Sequence, residues 1–147
     1  MITPVMIYTD QLMREVRLTN PPSRIVSLVP SLTELLADLG LENEIAGITK
    51  LCIHPDSIFR SKVRVGGTKK INHDVIDQLN PDLIIANKEE NLKTDIELLE
   101  KKYPVWVSDV NSLTDVWEMI EKIGLLCGKE KSAEQLIQEI KSGFSTI

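Results

Sequence analysis

The residues best suited to ligand chemistry lie where a short apolar strand runs into a helix, in the segment RIVSLVPSLTE (24–34). Pro30 is expected to end the strand, and Ser31 and Glu34 show the S-x-x-E spacing of a helix capping box, worth about 1 kcal/mol. A helix beginning at the carboxyl end of a strand directs free N–H groups and the positive end of its dipole toward the sheet edge. The spacing predicts that Pro30, Ser31 and Thr33 line a ligand cleft.

A second candidate is the glycine pair of GGTKK (66–70), between a predicted strand and a predicted helix. Glycine-rich loops at this position can hold phosphate groups. The segment lacks the G-x-x-x-x-G-K-[ST] spacing, because Ile71 rather than Ser or Thr follows Lys70. The simpler interpretation is that the glycines allow a sharp backbone turn at the sheet edge.

Cys52 and His54 could supply two metal ligands from one loop. A structural zinc site needs four ligands, and the remaining histidine and cysteine, His73 and Cys127, are distant in sequence. We therefore predict no metal site, with Cys52 and His54 as the two side chains to check. Nothing near this pair would lower the thiol pKa or orient the imidazole, which disfavours a catalytic Cys–His pair.

Polar side chains also follow the apolar strand DLIIA (82–86). Glu89, Glu90 and Asn91 come just beyond its carboxyl end, where their oxygens can accept hydrogen bonds from a ligand. An acidic loop before a helix is also favoured by the helix dipole alone. The sequence contains neither the G-x-S-x-G nor the G-x-G-x-x-G pattern, so no hydrolase or dinucleotide-binding motif supports a catalytic function.

The elements that would position these residues alternate between strands and helices. The predicted strands are 24–29, 45–49, 63–65, 82–86 and 105–107, and the predicted helices are 31–39, 72–79, 92–102, 112–127 and 130–143. Residues 6–18 are predicted to form a small hairpin or extended arm, and residues 51–62 an irregular loop. Mostly short connections between alternating strands and helices favour an α/β fold, with a mostly parallel sheet flanked by helices on both faces.

The amino-acid composition of the chain excludes some classes of partner. The formal net charge of −5 disfavours nucleic acid, because phosphate binding needs clustered Lys and Arg. No apolar run approaches the roughly 18 residues of a membrane-spanning helix. The segment MITPVMIYTD lacks the features of a signal peptide, which predicts a cytoplasmic location for the chain as written. A chain trimmed of its export signal would look the same, and would be periplasmic or attached to the envelope.

Several of these segments, in this order, resemble a known family. RIVSLVPSLTELLADLG (24–40), EIAGIT (44–49), the CIHP turn (52–55) and VGGTKKINHDVIDQLNPDLIIANKEEN (65–91) are similar to the amino-terminal lobe of class III ABC-transporter substrate-binding proteins. These are the helical-backbone receptors for cobalamin, haem and ferric siderophores, and the resemblance is greatest to the cobalamin-binding branch. It implies one lobe over residues 1–128, followed over 129–147 by the start of the helix that joins the two lobes.

The resemblance also implies roles for single residues. The residues that it places at the ligand are Pro30, Ser31, Thr33, Thr68, Lys69, Glu89, Glu90 and Asn91. Cobalamin binders carry an aromatic residue against the corrin ring in the loop that here contains Thr68, so this chain lacks that stacking contact. Asp74 matches a surface acid that docks onto arginines of the membrane permease.

The function that the resemblance implies is the substrate-binding component of an ABC importer for a corrinoid or iron–siderophore chelate. Such a protein does no covalent chemistry, holds no covalent cofactor and closes by a small hinge motion, and its partners are the chelate and the permease. Two alternatives stay open. One is a cytoplasmic binding or sensor protein for a metal complex or cofactor, with the same fold. The other is a flavodoxin-like nucleotide-binding enzyme, which rests on GGTKK alone.

Overall fold

In the computed structural model, which describes residues 4–145, with side chains up to residue 143, these residues form nine short strands, six α-helices and one 3-10 helix (Glu42–Glu44). The strands are β1 (Met6–Thr9), β2 (Glu15–Leu18), β3 (Ile25–Ser27), β4 (Ile45–Ile48), β5 (Val63–Arg64), β6 (Gly66–Gly67), β7 (Lys70–Ile71), β8 (Leu83–Asn87) and β9 (Val105–Ser108). The helices are α1 (Pro30–Asp38), α2 (Asp56–Ser61), α3 (His73–Leu79), α4 (Lys93–Glu100), α5 (Leu113–Leu126) and α6 (Glu130–Ser145). Within residues 4–145, none of the helices has the length and apolarity needed to cross a membrane.

Five strands form a central parallel sheet in the order β5-β4-β3-β8-β9. The chain moves outward from β3 through β4 and β5, then returns to the other side of β3 for β8 and β9. The direction of winding therefore reverses between β3 and β8, which is the topological switch point of an open α/β sheet. In such sheets the ligand crevice forms outside the carboxyl ends of the strands at this point.

The interior of the sheet is apolar on both faces. The side chains of Leu83, Ile84, Ile85 and Ala86 in β8 are all fully buried. Successive side chains of a strand point to opposite faces, so both faces of the sheet are covered by packed elements. This confirms the predicted parallel sheet flanked by helices.

The hairpin of β1 and β2, predicted as a hairpin or arm, covers the outer edge of β9. The Gln11 N–H donates to the Val107 carbonyl at 3.1 Å, and the Val107 N–H donates to the Asp10 carboxylate at 3.3 Å. The indole N–H of Trp106 donates to the Thr9 carbonyl at 3.3 Å. The hairpin thus satisfies backbone groups that an edge strand would otherwise offer to another chain.

The local structure differs from the predictions in two places. Residues 51–62 are not wholly irregular, because they contain the six-residue helix α2, which has the single buried apolar residue Ile58. The predicted Ser31 cap is wrong, since α1 begins at Pro30 and its N-cap, Val29, makes no side-chain hydrogen bond. Proline lacks an N–H and its fixed φ suits the first position of a helix, so Pro30 starts α1 rather than ending β3.

The two serines that show the capping pattern should therefore behave differently. The Ser112 hydroxyl accepts from the Asp115 N–H at 3.2 Å and caps α5 as predicted. We expect Ser112→Ala to lower the free energy of unfolding by about 1 kcal/mol. Ser31→Ala, in an exposed position within the first turn of α1, should change it by less than about 0.5 kcal/mol. Urea denaturation midpoints measure both, and equal losses would contradict the assigned start of α1.

A phenol–carboxylate hydrogen bond ties α3 to the segment before β9. The Tyr103 hydroxyl donates to Asp77, which also accepts from the Lys102 ammonium at 3.0 Å. The hydrogen bond from Tyr103 lowers the pKa of the Asp77 carboxyl below its usual value. The same bond raises the pKa of Tyr103 to about 12, because ionisation would remove the donor and place a phenolate against a carboxylate.

The raised pKa of Tyr103 predicts where its contribution to stability disappears. The contribution is complete below about pH 10, the pKa of an unperturbed tyrosine, and is lost as the pH rises toward about 12. In a Tyr8→Phe background, absorbance at the phenolate band should report the Tyr103 titration alone. We expect Asp77→Asn to move its midpoint back toward about pH 10. An unchanged midpoint would contradict the hydrogen bond, provided that circular dichroism shows a folded protein throughout.

Candidate functional site

Three loops meet at the switch point, with the side chain of Asn91 between them. Its amide nitrogen donates to the carbonyl of Leu28, directly after β3, and to the carbonyl of Thr68, in the turn between β6 and β7, both at 3.2 Å. Its amide oxygen accepts from the Asn87 N–H at 2.9 Å. Asn91 is 3% exposed, so one buried amide joins the loops that follow β3, β6 and β8.

The loop that carries Glu89 and Glu90 is shaped by a second asparagine, at the end of β8. The Asn87 side-chain oxygen accepts from the N–H groups of Glu89 at 2.9 Å and Glu90 at 3.0 Å. The Asn87 amide nitrogen donates to the Ser108 hydroxyl at 2.9 Å, which links this loop to the end of β9. With the backbone of 87–91 fixed, the two glutamate side chains are exposed at the carboxyl edge.

The GGTKK segment forms a hairpin of β6 and β7, with Thr68 and Lys69 in its turn. Gly66 has φ +100°, and a Cβ there would lie 2.3 Å from the Lys70 carbonyl oxygen, so glycine is required on both counts. The Lys69 ammonium donates to the Glu89 carbonyl at 2.5 Å, which ties the turn to the loop after β8 a second time. The sharp-turn interpretation of the two glycines therefore describes this segment.

The start of α1 supplies the third part of the edge. Ser31 is exposed and Pro30 half-buried, and no acidic residue lies in the first turn. The free N–H groups of this turn are thus available to a negatively polarised group. Thr33 is fully buried, where its hydroxyl donates to the Ser27 hydroxyl at 2.8 Å, so its side chain does not line the cleft as predicted.

The two cysteines are buried in different parts of the chain. The Cys52 sulfur lies 3.1 Å from the hydroxyls of both Thr33 and Thr49, whereas His54 is exposed. Burial raises the pKa of the Cys127 thiol to about 12, which keeps it protonated and unreactive. Among residues 4–145, no cluster of three or more His, Cys, Asp and Glu side chains is arranged to hold a metal ion.

The structure brings most of the predicted site residues to one edge. Thr68, Lys69, Glu89 and Asn91 are connected by hydrogen bonds, and Glu90 is exposed in the same loop. Pro30 and Ser31 follow Leu28, which Asn91 also binds. Asp74 is exposed in the first turn of α3, and its neighbour His73 lies 2.8 Å from Asp95 at the start of α4.

Some residues at this edge were not predicted from the sequence. Asn87 was missed, although an asparagine directly after a fully apolar strand is a signal that could have found it. Exposed apolar side chains also occur in loops at the carboxyl edge, namely Leu51, Ile53 and Leu92. The edge therefore combines a helix N-terminus, an ammonium, carboxylates and apolar surface.

Comparison with protein families identifies relatives for most of the chain. The model of the periplasmic binding protein family matches residues 25–147. An uncharacterized ABC transporter substrate-binding lipoprotein of Bacillus subtilis (strain 168), YvrC, is 31% identical over 151 residues, which cover 99% of this chain and 47% of the relative. The vitamin B12-binding protein of Vibrio vulnificus (strain CMCP6) is 31% identical over 104 residues, which cover 70% of this chain and 38% of the relative.

A solved structure shows the same arrangement of elements. The crystal structure of a possible iron-binding (periplasmic solute-binding) protein from Staphylococcus epidermidis ATCC 12228 matches with a TM-score of 0.75 and 28% identity, covering 84% of this chain and 49% of that one. The chain thus spans less than half the length of each of these three proteins.

Proposed function

Because the chain belongs to the periplasmic binding protein family, we propose that it forms the amino-terminal lobe of the substrate-binding component of an ABC importer. The observation that carries the proposal is the junction at Asn91, which gathers the loops after β3, β6 and β8 at the switch point of the sheet. Ligands of open α/β sheets bind at this position. The lobe would supply one side of a ligand cleft and no covalent chemistry.

The proposed ligand is a corrinoid or an iron–siderophore chelate. Relatives named as vitamin B12-binding and possible iron-binding proteins support this class of ligand. The edge chemistry also supports it, because a large chelate carries both polar groups and apolar surface. The N-terminus of α1 and the Lys69 ammonium suit negatively polarised groups, while Leu51 and Ile53 offer apolar contact. Thr68 provides no aromatic face for a corrin ring.

We propose residues 1–128 as the lobe and residues 129–147 as the start of the helix that joins it to a second lobe; residues 1–3 and 146–147 lie outside the described part. Helix α6 begins at Glu130 and packs closely on α5, since a Cβ on Gly124 would lie 2.4 Å from the Ala133 Cβ. The coverage of less than half of each relative supports a second lobe in the whole protein. One lobe alone cannot enclose a ligand, so this chain should bind weakly.

The location and the docking partner are further parts of the proposal. The Bacillus subtilis relative is a lipoprotein, and the family is periplasmic, so we place the whole protein in the cell envelope. The comparisons do not support the cytoplasmic location expected for the chain as written. Asp74, exposed in the first turn of α3, is the proposed contact with the permease. The Asp74→Arg variant of the whole protein should bind ligand normally and fail to dock.

No specific observation favours either alternative function. The nucleotide-binding enzyme rested on GGTKK, and the steric requirement at Gly66 explains the glycine that a phosphate loop would have needed. The intracellular sensor shares the fold but differs in location. The proposed importer component therefore remains the function that the edge and the family support best.

A titration of chelates against a nucleotide tests the proposal. Cyanocobalamin, ferrichrome and haemin are titrated into the chain by calorimetry and visible absorbance, with ATP as the comparison ligand. At least one chelate should bind, and a ligand present at about 100 times its Kd should stabilise the fold by about 2.7 kcal/mol. Ser31→Trp should obstruct binding, while Gln135→Trp, on the exposed face of α6, should not. Binding of ATP alone would overturn the proposal.

A further inference from the structure

We propose that Asn91 is a positioning residue rather than a ligand contact. Its buried amide holds the start of α1, the β6–β7 turn and the loop after β8 together as one ligand-facing surface. The part of this inference that concerns ligand affinity rests on the proposed function. The part that concerns the three loops rests on the hydrogen bonds alone.

Both ends of the Asn91 amide are used within the protein. The nitrogen donates to two carbonyls, those of Leu28 and Thr68, and the oxygen accepts from the Asn87 N–H. A side chain that is 3% exposed has no free face for a ligand. Only an amide of this length can donate twice and accept once here. A carboxylate would lack both donors, and a hydroxyl would be too short and have only one.

Asn91 also connects segments that are remote in the chain. Leu28 lies 63 residues before Asn91, and Thr68 lies 23 residues before it. The hairpin of β6 and β7 is a separate two-stranded sheet, so the central sheet does not hold its turn directly. Hydrogen bonds from Asn91 and from Lys69 tie that turn to the loop after β8. Lys69 is exposed, so water competes for its hydrogen bond to the Glu89 carbonyl. The hydrogen bond from the buried Asn91 amide is therefore expected to hold the turn more strongly.

A ligand-facing surface that is fixed in advance favours binding. Loops that are ordered before the ligand arrives do not lose conformational entropy on binding. Without the amide, the turn that carries Thr68 and the loop that carries Glu89 and Glu90 could separate. Ligand affinity would then fall although every exposed side chain of the edge is still present.

Amide hydrogen exchange of the Asn91→Asp variant tests the positioning role without any ligand. The substitution keeps the size of the side chain and removes both donors. We expect exchange in residues 66–71 and 87–91 to become about tenfold faster or more, with exchange in α5 unchanged. The matched control is Asn72→Asp, because Asn72 caps α3 through its oxygen alone, accepting from the Val75 N–H at 3.2 Å. Unchanged exchange in Asn91→Asp would overturn the proposal.

Two further measurements keep the test decisive. If Asn91→Asp does not fold, Asn91→Ser, which keeps one donor, should still show faster exchange in residues 66–71, and parent-like exchange there would overturn the proposal. For affinity, cyanocobalamin and ferrichrome serve as probes, and Ser112→Ala serves as a variant destabilised at the cap of α5, which takes no part in the hydrogen bonds of the Asn91 side chain. Any probe that the parent binds should bind Asn91→Asp about tenfold more weakly or worse, and Ser112→Ala as the parent does.

The outcomes separate this inference from the proposed function. Equal losses of affinity in Asn91→Asp and Ser112→Ala would mean that Asn91 acts only through general stability, and would overturn its role in binding. If the parent shows not even weak binding of these probes or of haemin, the proposed function fails. In that case the exchange experiment still decides whether Asn91 holds the three loops together.

Discussion

Replacing Asp10 with asparagine is expected to lower the free energy of unfolding by about 2 to 4 kcal/mol. Asp10 is fully buried, and its carboxylate is one of the groups that hold the β1–β2 hairpin against the edge strand β9. Arg14 is 30% exposed and keeps its second partner Glu100, so the expected loss comes from buried N–H groups left without an acceptor, each costing about 1 to 3 kcal/mol.

Each oxygen of the Asp10 carboxylate has its own set of donors. One oxygen accepts from the backbone N–H groups of Leu12 and Arg14, both at 2.9 Å. The other accepts from the Arg14 guanidinium at 3.0 and 2.8 Å and from the Val107 N–H at 3.3 Å. An asparagine has only one side-chain oxygen. In either orientation its NH₂ group therefore faces N–H donors and cannot accept from them. Depending on the orientation, the hairpin would lose either the hydrogen bonds of its own turn or those that the Asp10 side chain makes with the Arg14 guanidinium and with β9.

The matched control for Asp10 is Glu15→Gln in the same hairpin. Glu15 pairs with Arg17 at 3.2 Å, and both side chains are more than 60% exposed. Exposed ion pairs contribute little, so this variant should lose less than about 1 kcal/mol. Urea denaturation followed by circular dichroism compares the two variants. Similar small losses for both would show that the buried carboxylate does not anchor the hairpin.

The parts of the fold that could be predicted from the sequence are those with a local pattern. The strand predicted at 82–86 is observed as Leu83–Asn87, and the helix predicted at 112–127 is observed as Leu113–Leu126. A run of apolar residues before a polar loop, and a serine that caps an apolar helix, are decided by neighbouring residues. The predicted start of α1 is wrong because two local signals compete there. The backbone preference of Pro30 outweighs the capping pattern of Ser31.

The site could be predicted only in part, because its organisation is not local. The rule that ligands bind at the carboxyl ends of strands was enough to select Ser31 and Glu89 as edge residues, whereas Thr68 was assigned to the ligand by the family resemblance. The order of the strands, and hence the position of the switch point between β3 and β8, has no signature in the sequence. The burial of Thr33 and Asn91 likewise depends on contacts with segments remote in the chain. Both were predicted as ligand contacts, whereas their side chains are occupied within the protein.

Replacing Gly66 with alanine is expected to open the β6–β7 hairpin and to remove its turn from the ligand-facing surface. The residue has φ +100°, which costs an alanine about 1 to 2 kcal/mol. The added Cβ would also lie 2.3 Å from the Lys70 carbonyl oxygen and 3.0 Å from the Asn72 nitrogen. These are backbone atoms, so no side-chain rotation can relieve the clash. Only separation of the two strands can.

Gly40→Ala is the control that isolates the backbone preference from the clash at Gly66. Gly40 has φ +80°, and no atom lies within 4 Å of the added Cβ. An alanine there would therefore cost only the backbone strain of a positive φ, about 1 to 2 kcal/mol. In Gly66→Ala, exchange in residues 66–71 should approach that of an unfolded peptide, and any chelate that the parent binds should bind at least about tenfold more weakly. Gly40→Ala should lower the urea midpoint and leave both the exchange and the affinity unaltered.

If Gly66→Ala retained the affinity of the parent, the turn that carries Thr68 and Lys69 would not belong to the ligand surface. The edge would then be reduced to the loops after β3 and β8.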